Sequence, residues 1–365
     1  MQKSDLENFC FFSNKDGSYD VVSMALNCFE SSVYNVVKNN RSLEKEHVIP
    51  LFIRDISPTL WYNNASGIFR IYNRSSNITP LWKKYITVHT DVKRKDKNAV
   101  GFLETLLDKG QMVIIQTVFE RVKYLSWYNP NFDFDSYYEG EEQHANIAVY
   151  HEDDRIYYSE KIPYNIHKEN YVPYEYNSQI GVALKSEIED AFNHFLRCYT
   201  LEVNERELKS GDGLENDVAD IIHAMADNFR GDIEEVNGYT RCYGSYALEK
   251  LKEYCNEGID LNRYFITQGW TLKDRISFDI WMFHGSRQIL LEYLILKEKH
   301  YRGNAELNHL KNTLSEAIIQ WKALERSISR LLQSGSTRLN PKIGMRIDSL
   351  QAVENRLNSQ LKAYK

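Results

Sequence analysis

Asn27-Cys28-Phe29-Glu30-Ser31-Ser32-Val33-Tyr34-Asn35-Val36-Val37 is the stretch on which the reading of this chain turns. It reads as a short helix with a cysteine at its head. Far downstream, Gln143-His144-Ala145-Asn146-Ile147-Ala148-Val149-Tyr150 reads as a strand opened by a histidine. Arg155-Ile156-Tyr157-Tyr158-Ser159-Glu160 reads as a second strand, joined to the first through the acidic turn Glu152-Asp153-Asp154. Side chains alternate along a strand, so His144, Asn146 and Ala148 share one face. The turn lies midway between His144 and Glu160, which sets Glu160 roughly opposite His144 across the hairpin.

Those three residue types suit nucleophilic acyl transfer. The thiolate, not the thiol, is the nucleophile, and a helix N-terminus stabilises negative charge through its unpaired N–H groups. His144 would take the Cys28 proton as base and return it to the leaving group as acid. Glu160 would orient the imidazole, with Asn146 and Asp154 as weaker choices. A developing oxyanion would find one donor in the Cys28 backbone N–H and a candidate second donor in the Asn27 side chain. Each residue also has a plainer reading. A single cysteine is usually a small core residue, and a histidine before a strand is usually structural. The joint pattern carries the catalytic reading. Cys10, Cys198, Cys242 and Cys255 lack a comparable histidine and read as packing residues. His144 and His151 are an odd number of residues apart, on opposite strand faces, so no metal site is expected. His284 reads as a core histidine.

Outward from these segments, the chain divides in two. Residues 1–185 are mixed, with β-like pieces at His47–Ile53 and Gly67–Tyr72, a helix at Ala99–Leu107 stopped by Asp108-Lys109-Gly110, and a buried strand at Gln111–Val118. Trp127–Glu142 is rich in Asn, Asp, Tyr and Gly and reads as a loop leading to His144, a natural binding lid. From 186 to 365 helical periodicity dominates. The expected helices are Ser186–Tyr199, Glu215–Phe229, Tyr246–Glu257, Ser277–His300, Glu306–Leu332 and Ile343–Tyr364. The clearest stripe is Leu307, Leu310, Leu314, Ile318, Trp321, Leu324, Ile328 and Leu331, suited to a bundle within the chain or, as the alternative, a homodimer seam.

Composition narrows the function classes. The net charge of −6 over 365 residues argues against nucleic-acid binding. No Gly-rich phosphate loop precedes a helix. No run is apolar and long enough to span a membrane, and Met1–Glu7 lacks the start of a signal peptide. Five scattered cysteines do not form a disulfide framework, so a cytoplasmic protein is expected.

The opening Asn27-Cys28-Phe29-Glu30-Ser31-Ser32 resembles that of the BtrH N-terminal family of butirosin-type acyltransferases. The strand Gln111–Val118, the segment Tyr124-Leu125-Ser126-Trp127-Tyr128, the histidine strand His144–Tyr150 and the helix start Tyr243-Gly244-Ser245-Tyr246-Ala247-Leu248 are similar to that family too. The likeness covers most of the chain in patches. It departs at Glu160, where the family has an aspartate, and at Val22, where papain-type peptidases place an oxyanion-hole glutamine. The resemblance implies an α+β papain-like cysteine protease fold at 1–185: a Cys-bearing helix packed on an antiparallel sheet. An α-helical domain would follow at 186–365. It further implies an acyltransferase of natural-product biosynthesis. The acyl group would arrive on the phosphopantetheine arm of an acyl or peptidyl carrier protein, pass through Cys28, and leave as an amide of an amine or diamine. No bound cofactor is implied. Tyr124, Trp127 and Tyr128 are the candidate substrate-binding residues, and Tyr124–Tyr138 the candidate water shield. A cysteine peptidase or amidase with the same triad is the alternative.

Overall fold

The computed structural model describes residues 6, 9–12, 14, 20–40, 42–73, 79–93, 98–117, 144–159, 180–192, 196–210, 212–229, 231–266, 270–300 and 304–364. In chain order its elements begin with α1 (Val21–Ala25), α2 (Cys28–Lys38), α3 (Lys45–Val48), β1 (Thr59–Asn63), β2 (Phe69–Tyr72), α4 (Trp82–Tyr85) and β3 (Ile86–Lys93). Next come α5 (Ala99–Asp108), β4 (Val113–Thr117), β5 (His144–Glu152), β6 (Arg155–Ser159), β7 (Gly181–Leu184), α6 (Lys185–Phe192), β8 (Leu196–Val203) and α7 (Glu205–Lys209). The remainder is α8 (Asp212–Asn228), β9 (Ile233–Val236), β10 (Tyr239–Tyr243), α9 (Ser245–Glu257), α10 (Leu272–His300), α11 (Ala305–Gln333) and α12 (Pro341–Ala363). The architecture is mixed α+β, with antiparallel sheets and a helical C-terminal region.

The chain forms two compact units, Met1–Val48 with Lys84–Glu205, and Ile49–Lys83 with Arg206–Lys365. This differs from a single division after residue 185, and strand pairing is the reason. β1 and β2 pair with each other and β1 with β10, which draws residues 49–83 to the helices. β8 pairs with β3 and β4, which draws residues after 185 into the first unit.

In the first unit a six-stranded antiparallel sheet runs β3-β8-β4-β5-β6-β7. Val113, Ile114 and Ile115 are all buried, as a strand covered on both faces requires. One face carries Val113, Ile115, Ala148, Ile156, Tyr158, Ala183 and Cys198, packed against Leu103, Leu106 and Leu107 of α5 and Ile188 of α6. The other carries Ile147, Val149, Tyr157 and Val182, covered by Leu6, Phe9, Phe11, Phe12 and Val36 of α2. Period-two alternation thus sorts each strand between two layers. The β5–β6 hairpin forms, with Glu152 opposite Arg155 and the register shifting between Ala148 and Tyr150, but Ser159 pairs with Ile147, two residues away from the Ala145 partner that a turn midway between His144 and Glu160 requires. The α5 helix also forms, and Gly110 at φ 74° supplies the left-handed residue after its end.

Two expected elements differ. Ser186–Tyr199 was expected as one helix; instead α6 stops at Phe192 and β8 begins at Leu196. Cys198 and Tyr199 turn to opposite faces, and the strand-favouring Tyr199, Thr200 and Val203 join a ladder with β3 along the whole of β8. His47–Ile53 is not strand-like. It is the end of α3 followed by a 3-10 turn at Ile49–Phe52, where Pro50 has no N–H to give a ladder.

The second unit packs α8–α12 with the four-stranded antiparallel sheet β2-β1-β10-β9. The α11 stripe is buried against α10 and α12, and Trp321 stacks on Phe283 with ring centroids 4.3 Å apart. A fully buried ion pair crosses this core: Arg287 Nε donates to Glu354 Oε1 at 2.7 Å, and Trp321 Nε1 donates to the same oxygen at 2.6 Å. A second buried cluster joins β2 to α10, with Arg70, Arg275 and the Tyr264 hydroxyl all donating to Asp279.

Candidate active site

Cys28 is the first residue of α2, and the sequence around it explains why the helix starts there. Asn27 has extended backbone (φ −64°, ψ 170°), and its side-chain oxygen accepts from the Glu30 N–H at 2.9 Å. Its Nδ2 donates to Glu30 Oε2 at 2.7 Å, closing a reciprocal cap. That cap sets Cys28 among the first-turn N–H groups, where the helix dipole favours negative charge. It also engages one of the two amide hydrogens of Asn27, leaving at most one for an oxyanion. Cys28 is half-buried, and its carbonyl accepts from Ser32 Oγ at 2.9 Å.

None of the five cysteines is disulfide-bonded. Burial pushes the Cys198 thiol up to about 12, with the Asp91 carboxylate adding to the effect. Burial alone pushes Cys255 up to about 12, and it raises Cys242 as well. These three sit in the two cores, as packing residues do.

α2 packs against β5, β4 and β8, and Phe29, next to Cys28, meets Tyr199 of β8 edge-on at 4.9 Å. His144 is the first residue of β5, in register with Thr117 of β4. Cys28 and His144 therefore belong to two elements that pack on each other. The described part of β5 splits its residues between layers. Ile147 and Val149 face the α2 layer, whereas Ala148 faces α5. Asn146 is in register with Ile115 of the α5 layer and so shares that face. The His144 side chain lies outside the described residues, as do Glu160, Tyr124, Trp127 and Tyr128. Asp154 belongs to the exposed hairpin turn.

His151 is tied to α5, its Nε2 2.9 Å from Asp108 Oδ1 and its Nδ1 3.7 Å from Glu104 Oε1. No group of three or more potential metal ligands is found among the described residues. His284 is buried, with Nε2 3.3 Å from Glu325 Oε2.

One feature escaped the sequence reading. Ser31 and Asn35 of α2, with Ser23 of α1, form a wholly buried polar cluster one turn behind Cys28. Asn35 Nδ2 donates to Ser23 Oγ at 2.7 Å, and Ser31 Oγ donates to the Ser23 carbonyl at 2.8 Å. Asp20 caps α1 through the Ser23 N–H and accepts from Tyr34 and Lys38 of α2. Burial lowers the Lys38 ammonium, and Asp20 works against that shift. The signal was present as polar residues spaced four apart at Ser31, Asn35 and Asn39.

No family model matches this chain, and no curated protein matches it.

Proposed function

We propose that the first unit is a papain-like catalytic unit and that the protein is a cysteine-dependent acyltransferase forming amide bonds. The observation that supports this most is the packing of the Cys28-headed helix against the strand that His144 opens. The Cys28 thiolate attacks the carbonyl carbon of an acyl thioester. The tetrahedral adduct collapses to an acyl-enzyme, and the carrier thiol leaves with the proton that His144 took from Cys28. An amine then attacks the acyl-enzyme, losing a proton to His144, and the Cys28 thiol is released with the amide as product. Glu160 holds the imidazole, and the Cys28 N–H with the remaining Asn27 amide hydrogen faces the oxyanion. Transfer outruns hydrolysis when water is excluded and the amine is held close. That shielding role falls to Tyr124–Tyr138, with Trp127 and Tyr128 against the acyl chain. The donor is a carrier protein with a phosphopantetheine arm, and the acceptor a small amine or diamine. The scheme requires the His144 ring to reach the α2 side of the sheet at the head of β5, although Asn146 and Ala148 turn to the other side.

Intact-protein mass spectrometry after exposure to aryl and aliphatic acyl thioesters tests this reading. The expected result is an acyl increment on the wild type and none on Cys28→Ala, discharged as an amide when a diamine is added. Discharge only as free acid would make the protein a hydrolase. The absence of any increment with every donor would reject the catalytic reading.

A further inference from the structure

We infer that Ser31 and Asn35, acting through Ser23, are positioning residues for Cys28; this rests on the acyl-transfer reading above. Ser23, Ser31 and Asn35 are each 0% exposed, on helix faces where apolar side chains are the usual occupants. Their hydrogen bonds form a closed circuit. Asn35 donates to Ser23 Oγ, the two serine oxygens lie 2.8 Å apart, and the Ser31 hydroxyl donates to the Ser23 carbonyl. The same carbonyl accepts the N–H of Leu26 at 3.4 Å, where α1 ends. One oxygen thus ties α2 to the two-residue turn Leu26-Asn27 that delivers Cys28. The far end is held too. Asn35 Oδ1 accepts from the N–H of Phe12, whose left-handed backbone (φ 55°) is uncommon for a bulky residue. The Phe12 carbonyl accepts from the N–H of Asp20, and Asp20 caps α1 at Ser23. Phe12, Asp20 and Ser23 are therefore linked to one another and each is also hydrogen-bonded to a residue of α2. Buried polar networks with all members satisfied specify one geometry, whereas apolar contacts tolerate sliding. Here the geometry so fixed is that of the turn presenting the thiol and its backbone N–H.

Two variants test this. Ser31→Ala removes one member, and the double variant Ser23→Ala/Ser31→Ala removes both hydroxyls, keeping the test open if the single variant folds poorly. Three quantities are compared with the wild type: the single-turnover rate of Cys28 acylation at saturating aryl thioester, the pH midpoint of Cys28 alkylation, and the melting temperature. The expected result in folded protein is acylation about ten-fold slower or more, with the alkylation midpoint moved to higher pH and half-saturation by the thioester unchanged. Wild-type acylation and an unmoved midpoint in either folded variant would overturn the inference. A rate that falls only in step with lost folded protein would overturn it as well. A wild type whose Cys28 accepts no acyl group would reject both the inference and the reading on which it rests.

Discussion

At the scale of single residues, the cysteines divide by environment. Cys198 and Cys255 are buried thiols pushed up to about 12, above the value of about 8.5 expected in the unfolded chain. A raised folded value means that the native state holds its proton more tightly than the unfolded state. Their contribution to stability is therefore complete below about pH 8.5 and is lost progressively as pH rises towards 12. Urea midpoints measured across that window should fall with pH, and the slope should flatten in Cys198→Ala/Cys255→Ala; an unchanged slope would contradict the assignment. Both thiols should also stay unmodified by iodoacetamide in native protein at neutral pH, while Cys28 is alkylated. Their packing role was legible from the lack of any histidine nearby in a catalytic setting. The involvement of Asn27 in a reciprocal cap with Glu30 was not drawn from the sequence, although an Asn followed three positions later by Glu carries that signature.

At the scale of elements, α2 depends on its cap. Asn27→Ala removes the oxygen that satisfies the Glu30 N–H and should destabilise the first unit by about 1 kcal/mol. It should also lower the Cys28 acylation rate, since the first helical turn then frays. Thermal unfolding and single-turnover acylation, measured together, check both effects, and a variant with wild-type stability would refute the capping role. Most helices were readable from apolar spacing, and α8 to α12 match the expected bounds within three residues except at the start of α10, which lies at Leu272 rather than Ser277. β8 was not. Extending the helical spacing of α6 placed Arg197-Cys198-Tyr199 on a helix, whereas Tyr199, Thr200 and Val203 favour a strand that pairs with β3 and β4. The polar spacing on the buried face of α2 was present in the sequence, but its burial was not legible for a related reason. Serine and asparagine suggest solvent until Ser23 and Phe12 arrive to satisfy them.

At the scale of the whole molecule, two separate arrangements are at work. The second unit is held by Arg287 and Glu354, both completely buried, with Trp321 sharing the carboxylate. Glu354→Ala leaves a guanidinium uncompensated in the core and should cost about 3–5 kcal/mol, read as a lowered denaturant midpoint. A loss below 1 kcal/mol would show that this pair is dispensable. The two units were only half visible in advance. The helical character of the later chain was legible, but its start after residue 205 rather than 185 was not, nor was the pairing of β1 with β10 that carries residues 49–83 into the helical unit, because pairing partners far apart in sequence leave no local periodicity. The first unit brings residue 28 and residue 144 onto packed elements, and the account stands on what their side chains then do. The most direct test is treatment of the native protein with a short dihaloacetone, followed by peptide mapping. A covalent bridge between Cys28 and His144, absent from Cys28→Ala and from His144→Ala, is the predicted result. Alkylation of Cys28 with no bridge to His144 would contradict the account.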